Sequence, residues 1–444
     1  MSDASRSSAI AGPRASQLRS AQPAGDQSAD VIVVGAGPGG SAAAIFLARQ
    51  GLDVLLLEKS GFPREKVCGD GLTPRAVRMM TRLGIDTSVE AGWQHNKGLR
   101  IYGGRVEPFE MPWPELAEQP NYGLVCPRST FDDLLAGMAA EAGARLHTGV
   151  RVSGPIIHER SNRVIGVTDS QGRKYRAPLV IAADGVGARL GVQAGRERNE
   201  KRPMGVAVRS YYRSPKHDLD WMESFLELWD GEPHNSNLLP GYGWLFPLGD
   251  GTVNVGLGML NTSSAFGNTD YKDLMRRWLD NTPEHWGLRG ETNQLQPIRG
   301  AALPMAFNRA PLYANGLLLV GDSAGMVSPF NGEGISYAME AAEMAANAVA
   351  DAHARGVGSR AAELALSNYH NQVKAAWGGY YRLGTIFVKL IGNPKIMHLC
   401  TTYGLPRRRL MILVHKLLAN LTDTHHGDGY DRLINSLSRL APAA

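Results

Sequence analysis

The feature that most constrains the fold is a strand–helix–strand pattern in residues 30–58. The segment reads DVIVVGAGPGGSAAAIFLARQGLDVLLLE, in which two apolar runs flank an alanine-rich stretch. The first run, Val31 to Val34, is short, β-branched and continuous, as is typical of a strand buried in a parallel sheet. Val54 to Leu57 forms the second run after a turn at Gly51. The segment therefore predicts two buried strands joined by a helix.

A G-x-G-x-x-G motif, Gly35, Gly37 and Gly40, joins the first strand to the helix. The first glycine permits a tight turn, the second permits close approach of a pyrophosphate, and the third permits close helix–strand packing. Glu58 ends the second strand, where its carboxylate would accept hydrogen bonds from ribose hydroxyls. That carboxylate would repel a 2′-phosphate, so the pattern favours FAD or NAD over NADP. The alternative is a glycine turn without a ligand, but all the parts fall in register with a dinucleotide site.

Two later segments extend the same domain. Residues 128–146 predict an amphipathic helix that is preceded by Arg128 and followed by a strand through Val150 and Val152. Residues 178–191 predict a buried strand that runs into Asp184 and Gly185.

Residues 316–350 decide between FAD and NAD. They predict a strand ending at Asp322, then a glycine-rich turn with Gly332 and Gly334, then a long alanine-rich helix. Asp322 would hold the hydroxyls of a ribityl chain, although alone it could equally be a helix N-cap. The amides of Gly334 and Ile335 lie at the positive end of the helix, where they would face the negative charge of a reduced flavin ring. Together with the distant glycine motif, this segment favours FAD.

Two further segments predict a pocket beside the flavin ring. Residues 64–77, REKVCGDGLTPRAV, place Cys68 in a glycine-rich loop that precedes a helix. Residues 240–258, PGYGWLFPLGDGTVNVGLG, predict a hairpin whose second strand alternates Val253, Val255 and Leu257. The bulky face of the first strand would line a pocket, whereas the alternative is ordinary packing of aromatic side chains in a core.

Composition limits the remaining possibilities. The chain has 444 residues, of which 43% are hydrophobic and 20% charged, and a net charge of +5, so it is globular and nucleic-acid binding is not indicated. Its three cysteines, Cys68, Cys126 and Cys400, form no CxxC pair, so no disulfide framework and no metal site is predicted. Residues 1–28 contain no apolar run, which predicts a disordered tail rather than a secretory signal.

The C-terminal region is basic. No Asp or Glu occurs from Leu364 to Thr422, where cations alternate with apolar stretches such as YYRLGTIFVKLIG and RRRLMILVHKLLANL. Such segments suit an anionic membrane surface, although a helical bundle with a basic solvated face would look the same. No run is long enough to span a bilayer, so we expect a cytoplasmic protein that binds peripherally to the inner face of the cell membrane. The basic cluster is made up of Lys374, Arg382, Lys389, Lys395, Arg407, Arg408, Arg409 and Lys416.

From residue 30 to about 350 the order of these motifs resembles the two-domain FAD oxidoreductases of the para-hydroxybenzoate hydroxylase type. The chain departs from that pattern at Ala188, where the family often has serine in Asp-Gly-x-x-Ser. The segments KVCGDGLTPRAV, LPGYGWLFPLGDGTVNVGLG and NGEGISYAME are most similar to the geranylgeranyl reductase family, in particular to actinobacterial members that reduce the polyprenyl side chain of menaquinone.

The resemblance implies roles for individual residues. It implies that Tyr242, Trp244 and Phe246 line the substrate pocket beside the flavin ring. It implies contacts with FAD from Gly39, Glu58, Cys68, Gly69, Gly71, Arg128, Val152, Asp322, Gly334 and Ile335. It implies that reduced FAD saturates isolated C=C bonds of an isoprenoid lipid, with NAD(P)H or another reductant as electron donor.

An unconjugated alkene has no carbonyl to polarise, so such an enzyme needs a dry, apolar slot and a proton source rather than an oxyanion hole. Cys68, Asp70 or water could supply the proton. The main alternative is a flavin-dependent aromatic hydroxylase that consumes NAD(P)H and oxygen. A halogenase lacks support because no W-x-W-x-I-P motif follows the first unit, and three scattered cysteines cannot hold the iron–sulfur cluster of a quinone reductase. A non-catalytic, FAD-stabilised membrane adaptor is supported by the basic region alone.

The predicted fold class is α/β (α+β). It combines a GxGxxG FAD-binding, Rossmann-like domain at 29–94, 126–200 and 300–350 with an inserted antiparallel-sheet substrate domain at 95–125 and 201–299. A helical C-terminal region is predicted at 351–444. The oligomeric state is not indicated by the sequence.

Overall fold

The structure is a computed structural model, and it describes residues 10–18, 25–262 and 266–441. Short 3₁₀ turns and one π-helical turn, Cys400–Gly404, accompany the helices. The α-helices of these ranges are α1 Pro38–Arg49, α2 Pro74–Arg82, α3 Arg128–Glu141, α4 Arg189–Gln193, α5 Tyr271–Asp280, α6 Ile335–Ala354, α7 Arg360–Ile391, α8 Pro394–Leu399, α9 Arg408–Ala419 and α10 Gly429–Leu440.

The strands form five sheets. They are β1 Gln27–Ser28, β2 Val31–Val34, β3 Val54–Leu57, β4 Gly71–Leu72, β5 His95–Asn96, β6 Gly98–Tyr102, β7 Phe109–Pro112, β8 Gly123–Val125, β9 Arg145–His147, β10 Val152–His158, β11 Arg163–Asp169, β12 Lys174–Arg176, β13 Leu179–Ala182, β14 Met204–Arg213, β15 Trp221–Phe225, β16 Leu228–Trp229, β17 Leu238–Leu239, β18 Gly241–Pro247, β19 Thr252–Leu260, β20 Arg299–Pro304, β21 Tyr313–Ala314 and β22 Leu317–Leu319.

The central six-stranded sheet has the order β21-β22-β13-β2-β3-β9 and is parallel except for β21. All residues of β2, β3 and β13 are buried, which explains why these strands are continuous apolar runs. Helices α1 and α3 pack on this sheet, and α6 packs on α1. The strand–helix–strand unit predicted from residues 30–58 is confirmed, with both strands at the predicted residues.

A four-stranded sheet, β1-β12-β11-β10, follows β9 and was not predicted as a unit. Its strands β10, β11 and β12 are antiparallel neighbours, so this crossover of the six-stranded sheet is a β-meander instead of a helix. Strand β12 has only three residues, and every residue of β10 is half-buried or exposed, so the apolar pattern of this sheet is weak.

The second large layer is a seven-stranded sheet with the order β20-β14-β19-β18-β15-β6-β7. Its pairings are antiparallel except for β15 with β6. Its strands come from residues 98–112 and 204–304, close to the two segments predicted as an inserted sheet. The predicted hairpin is present as β18 and β19, in the register that pairs Trp244 with Gly256.

The C-terminal helices lie against both layers. Tyr369 and Tyr381 of α7 donate hydrogen bonds to the carbonyls of Leu319 (2.8 Å) and Met326 (2.6 Å), which fixes α7 to the six-stranded sheet and the chain beyond β22. Leu405 and Met411 instead pack on Ile101 and Met111 of the seven-stranded sheet. The described part of the C-terminal region, residues 351–441, is mainly helical, as the fold class predicts. No helix in the described ranges is both long and apolar enough to cross a bilayer.

Part of the predicted disordered tail is packed. Ser16 binds the carboxylate of Asp133 through its amide and hydroxyl, each at 2.7 Å, and Arg14 donates to the carbonyl of Thr130 at 3.0 Å. The Asp133 carboxylate and the Thr130 carbonyl thus bind residues 10–18 to α3. The prediction of disorder is wrong for this segment. Residues 1–9 and 19–24 lie outside the described residues.

Candidate active site

One cavity of about 1240 Å³ brings most of the predicted site residues together. At one end it is lined by the glycine turn after β2 and by Glu58, and in the middle by the Cys68 loop and the aromatic face of β18. At the other end it is lined by apolar side chains of the seven-stranded sheet and of the C-terminal helices. Three parts of the chain, far apart in sequence, thus meet at a single site.

The three motif glycines have different surroundings. Gly35 has φ +98°, and a Cβ there would lie 2.4 Å from the carbonyl oxygen of Ala183. A Cβ on Gly40 would lie 1.8 Å from the carbonyl oxygen of Gly35, so this glycine is required by packing. A Cβ on Gly37 would meet only Arg64 and Arg128 side-chain nitrogens, at 3.6 and 3.7 Å. The space at Gly37 fits a pyrophosphate between the start of α1 and two guanidinium groups. Gly39 instead packs on Val320 and Ala338.

Glu58 is buried and held by its neighbours. Its carboxylate accepts hydrogen bonds from the amides of Ala36 (2.9 Å) and Ser60 (3.0 Å), and Arg64 lies 3.5 Å away. Arg64 also pairs with Asp132 at 3.0 Å, and Arg128 pairs with the same carboxylate at 2.7 and 2.8 Å. Arg64 was missed by the sequence analysis, although it lies in the segment quoted for Cys68. The cluster holds two cations beside the Gly37 space.

Asp322 lines the cavity at the start of the turn that leads to α6. Within the described ranges its carboxylate accepts no hydrogen bond, and it lies 3.6 Å from where a Cβ on Gly334 would be. Gly334 is the N-cap of α6, which begins at Ile335, and Gly332 has φ +76°. The predicted strand, aspartate and helix are therefore present. A free carboxylate beside helix amides fits a ligand that has hydroxyls and an anionic ring edge.

Asp184 and Val152 also line the cavity. Burial raises the pKa of Asp184, whose Oδ2 accepts a hydrogen bond from the amide of Leu190 at 3.0 Å. Ala188, the residue that departs from the family pattern, is the N-cap of α4 with φ +42°, and it offers no side-chain cap. Asp184 therefore supplies the capping oxygen that a serine at position 188 would provide.

The Cys68 loop lies between α1 and the hairpin. Cys68 is half-buried, and its sulfur accepts a hydrogen bond from the amide of Asp70 at 3.3 Å. Burial raises the pKa of the thiol, and the nearby Asp70 carboxylate raises it further, so Cys68 is protonated at neutral pH.

Asp70 has no exposed surface and adopts φ +64°. Its carboxylate accepts hydrogen bonds from the hydroxyl of Tyr211 (2.5 Å), the amide group of Asn254 (2.7 Å) and the backbone N–H of Arg128 (3.3 Å). Burial raises the pKa of Asp70 to about 6, against the opposing effect of the Tyr211 and Asn254 hydrogen bonds. Because its carboxylate is enclosed, Asp70 is placed to position the loop.

Tyr242, Trp244 and Phe246 occupy alternate positions of β18, so they share the face that lines the cavity. The Tyr242 hydroxyl donates to the carbonyl of Asn331 at 2.8 Å, and burial raises its pKa to about 12. Trp244 is 4% exposed and donates from Nε1 to Asn254 at 2.9 Å. A Cβ on Gly69 would lie 3.3 Å from Phe246 and from Trp244, and a Cβ on Gly71 would lie 3.0 Å from Phe246. The close contacts at these two glycines are therefore with aromatic side chains, and the contacts with FAD that the resemblance implies for them stay a prediction.

Asn254 connects these elements and was missed by the sequence analysis. Its amide nitrogen donates to the Cys68 carbonyl (2.9 Å) and to Asp70 (2.7 Å), while its oxygen accepts from Trp244 (2.9 Å). Tyr211 is the direct partner of Asn254 in the pairing of β14 with β19. Arg209 stacks on the Tyr211 ring at 4.4 Å and pairs with Glu65 of the loop at 2.7 Å. The sheet thus holds the thiol loop through buried polar side chains.

Comparison with known proteins agrees with this arrangement. A family model described as FAD binding domain matches residues 28–376. The menaquinone reductase of Mycolicibacterium smegmatis is 35% identical over 407 residues, which cover 91% of this chain and 95% of the relative. The menaquinone reductase of Mycobacterium tuberculosis is 40% identical over 323 residues, 72% of this chain and 76% of the relative. A digeranylgeranylglycerophospholipid reductase of Methanosarcina acetivorans is 32% identical over 335 residues, 74% of this chain and 76% of the relative.

A crystal structure of a geranylgeranyl bacteriochlorophyll reductase-like protein from Thermoplasma acidophilum shares the fold. Its TM-score is 0.72 at 24% identity, over 93% of this chain and all of that one. The predicted fold class, flavin cofactor and family are confirmed. The chain belongs to the FAD-binding-domain family and, within it, to the geranylgeranyl and menaquinone reductases, as an FAD-dependent oxidoreductase.

Proposed function

We propose that the protein saturates isolated C=C bonds of an isoprenoid chain, with the polyprenyl side chain of a menaquinone as the preferred substrate and a geranylgeranyl lipid as the second. The observation that carries this proposal is the apolar end of the cavity, which continues directly from the Cys68 loop. Its walls are mainly thioether, aliphatic and aromatic side chains, which favour binding of a hydrocarbon chain. They include Leu99, Ile101, Met111, Met222, Leu226 and Met411. The names of the menaquinone and digeranylgeranylglycerophospholipid reductases support the same substrate class.

We propose that FAD occupies the polar end. Glu58 would bind ribose hydroxyls, the Gly37 turn with Arg64 and Arg128 would bind the pyrophosphate, and Asp322 would bind the ribityl chain. Of the remaining predicted contacts, Gly35, Val152, Asp184, Gly332, Gly334 and Ile335 line the cavity, whereas Gly40 packs against Gly35. When bound, FAD supplies the reducing equivalent, and NAD(P)H or another reductant restores it.

We propose that Cys68 donates the proton. One alkene carbon receives a hydride equivalent and the other receives the thiol proton, so two hydrogens are added and the double bond becomes single. Both residues line the cavity, but the thiol is the more suitable donor because it is protonated and partly exposed, whereas Asp70 has no exposed surface and is enclosed by its three donors. The positive charge of Arg128 favours the thiolate that is left, and solvent returns the proton when the product leaves. Tyr242, Trp244 and Phe246 would form the wall that holds the double bond.

The test uses the flavin-loaded protein, reduced without oxygen and mixed with a menaquinone that has an unsaturated side chain. We expect the product to gain two hydrogens per reduced bond in its mass spectrum. Cys68→Ser is expected to retain flavin but to lose most turnover, while Cys126→Ser, which changes a thiol outside the cavity, is expected to retain both. An unchanged mass for every isoprenoid tested, together with oxygen-dependent hydroxylation of a phenol, would show an aromatic hydroxylase instead.

We also propose that the protein works at a membrane surface, because its substrate chain would lie in a bilayer. The basic C-terminal region supports this proposal, with one correction to the set of cations. Lys416 is buried and pairs with Asp428 (2.9 Å) and Asp431 (2.7 Å), so it holds α10 in place and does not face a membrane. The side chains of Arg382, Lys389, Lys395 and Arg407 to Arg409 are exposed.

A further inference from the structure

The apolar end of the cavity opens between α7, α8 and α9. Three exposed side chains of this region also line the cavity, so they form its mouth: Leu399 (57% exposed), Tyr403 (57%) and Leu410 (40%). Ile386 (46%) and Leu390 (50%) continue the apolar surface along α7, next to Phe387 and Ile391 of the cavity wall. We call these five exposed residues the mouth surface. Its apolar groups are continuous with the inside of the cavity.

Exposed cations lie on the same helices as the mouth surface. Lys389 and Lys395 lie on α7 and α8, and Arg408 and Arg409 begin α9. Within the described residues none of these four forms an ion pair, and residues 364–422 contain no acidic side chain. An apolar centre with unpaired cations at its edge complements a surface that has an apolar interior and anionic groups above it.

The mouth is held in place by the seven-stranded sheet. The π-helical turn at Cys400–Gly404 connects α8 to the segment before α9. A Cβ on Gly104 would lie 2.9 Å from the carbonyl oxygen of Thr401, and one on Gly103 would lie 3.3 Å from Leu405. The turn therefore packs against the β6–β7 hairpin, so the mouth is formed without a partner.

We propose that the mouth surface docks on an anionic lipid bilayer and that the isoprenoid chain enters the cavity from the bilayer between α8 and α9. This inference rests on the proposed function and adds where and how the substrate enters. Docking would bury the five apolar side chains, and the four cations would lie at the level of the lipid headgroups. The chain could then pass from the bilayer into the cavity without contact with water.

The main test compares a surface variant that has four substitutions with a control that has two. The variant Ile386→Ser, Leu390→Ser, Arg408→Glu, Arg409→Glu changes the surface but no residue that lines the cavity. Since each basic residue near an anionic surface strengthens binding by about fivefold, loss of the two arginines alone is expected to weaken vesicle binding about 25-fold. The control, Leu433→Ser with Leu437→Ser, alters exposed leucines (46% and 40%) of α10 that do not line the cavity, and it should bind like the unchanged protein.

Two substrate forms separate this proposal from the proposed function. In detergent, the surface variant should saturate the side chain of a short-chain menaquinone at the unchanged rate. In phosphatidylglycerol vesicles, it should lose turnover of a long-chain menaquinone. If the unchanged protein reduces neither form, the proposed function fails, while co-sedimentation with vesicles still reports docking. Equal binding of the surface variant and the control to these vesicles would overturn the docking proposal.

A second measurement leaves the five residues of the mouth surface unsubstituted. Cys400 is exposed and lies in the π-helical turn, whereas Cys126 is buried. A polarity-sensitive fluorophore on Cys400, in the Cys68→Ser protein, should shift to the blue with phosphatidylglycerol vesicles and much less with phosphatidylcholine vesicles. An unchanged spectrum would overturn the docking proposal. Dimerisation without vesicles that the surface variant abolishes would show that a second copy of the chain covers the surface instead.

Discussion

Substitution of single motif glycines by alanine separates packing from cofactor binding. Gly40→Ala would place a methyl group 1.8 Å from the carbonyl oxygen of Gly35, which is backbone and cannot move without separating α1 from β2. Gly37→Ala would place its methyl group no closer than 3.6 Å to any described atom beyond its chain neighbours, and Gly37 has φ −85° and ψ −174°, which alanine adopts freely. The two changes are chemically identical and lie three residues apart.

The two substitutions are expected to change different quantities, the unfolding free energy at Gly40 and the affinity for FAD at Gly37. Overpacking at Gly40 should cost about 1–3 kcal/mol or more of unfolding free energy. At Gly37 the loss of glycine entropy in the unfolded chain should stabilise the flavin-free protein by about 0.4–1 kcal/mol. The same methyl group occupies the space that we assign to the pyrophosphate. Loss of one hydrogen bond to that charged group costs about 1.5–3 kcal/mol, so FAD should bind about 10- to 150-fold more weakly.

The assay has two parts. In thermal unfolding of the flavin-free proteins, we expect the midpoint temperature of Gly37→Ala to equal or exceed that of the unchanged protein. The midpoint temperature of Gly40→Ala should lie well below it. Titration with FAD, followed by flavin fluorescence, gives weak binding for Gly37→Ala despite its intact fold. If Gly37→Ala binds FAD as tightly as the unchanged protein, the phosphate does not lie at this turn and our assignment of the cofactor site is wrong.

Three further changes test the network around the thiol. Trp244→Ala should cost about 3–5 kcal/mol of stability and lower turnover while flavin content is retained; loss of flavin would mean that Trp244 serves the fold of the cofactor site. Asp70→Asn should remove a pH dependence of the unfolding free energy. Burial raises the pKa of Asp70 from 3.8 to about 6, so between these pH values the folded state binds a proton that the unfolded state does not. As pH rises through this interval, the unfolding free energy of the unchanged protein should therefore fall by about 3 kcal/mol relative to the variant. Urea unfolding of both proteins at pH 4 and pH 7 measures this difference, and a pH-independent difference would contradict it. Asn254→Leu leaves the Cys68 carbonyl and the Trp244 N–H unpaired, at about 1–3 kcal/mol each, and should speed alkylation of Cys68 by iodoacetamide; an unchanged rate would mean that Asn254 does not position the loop.

The sequence predicted the parts of the site that depend on neighbouring residues. The strand of Val31–Val34, its glycine turn and Glu58 lie within one short unit, and their spacing alone determines the geometry. The strand before Asp322 and the helix after Gly334 were predictable for the same reason. Arg64 could not be assigned, because its partner Asp132 is far along the chain and the two meet only after α3 packs beside α1.

The residues that hold Cys68 depend on strand register. Tyr211 and Asn254 face each other only because β14 pairs with β19 in one register, and a slip by one residue would put the two side chains on opposite faces of the sheet. Asp70, which both side chains bind, is 141 residues from Tyr211 and 184 residues from Asn254. Local patterns carry no information about contacts at such separations. The packing of residues 10–18 on α3 escaped prediction similarly, since its composition resembles a disordered tail.

The hairpin sequence contains a further signal in the residues that alternate with its apolar ones. In TVNVGLG the alternation of Val253, Val255 and Leu257 identifies the face of β19 that packs in the core of the seven-stranded sheet. The intervening residues describe the other face. A Cβ on Gly256 would lie 2.3 Å from Cζ2 of Trp244, so the glycine at that position makes room for the indole, and Asn254 beside it binds the indole nitrogen. The polar and small residues of an alternating strand thus specify a cross-strand aromatic neighbour as strongly as the apolar residues specify the core, because at period 2 every position faces one layer or the other.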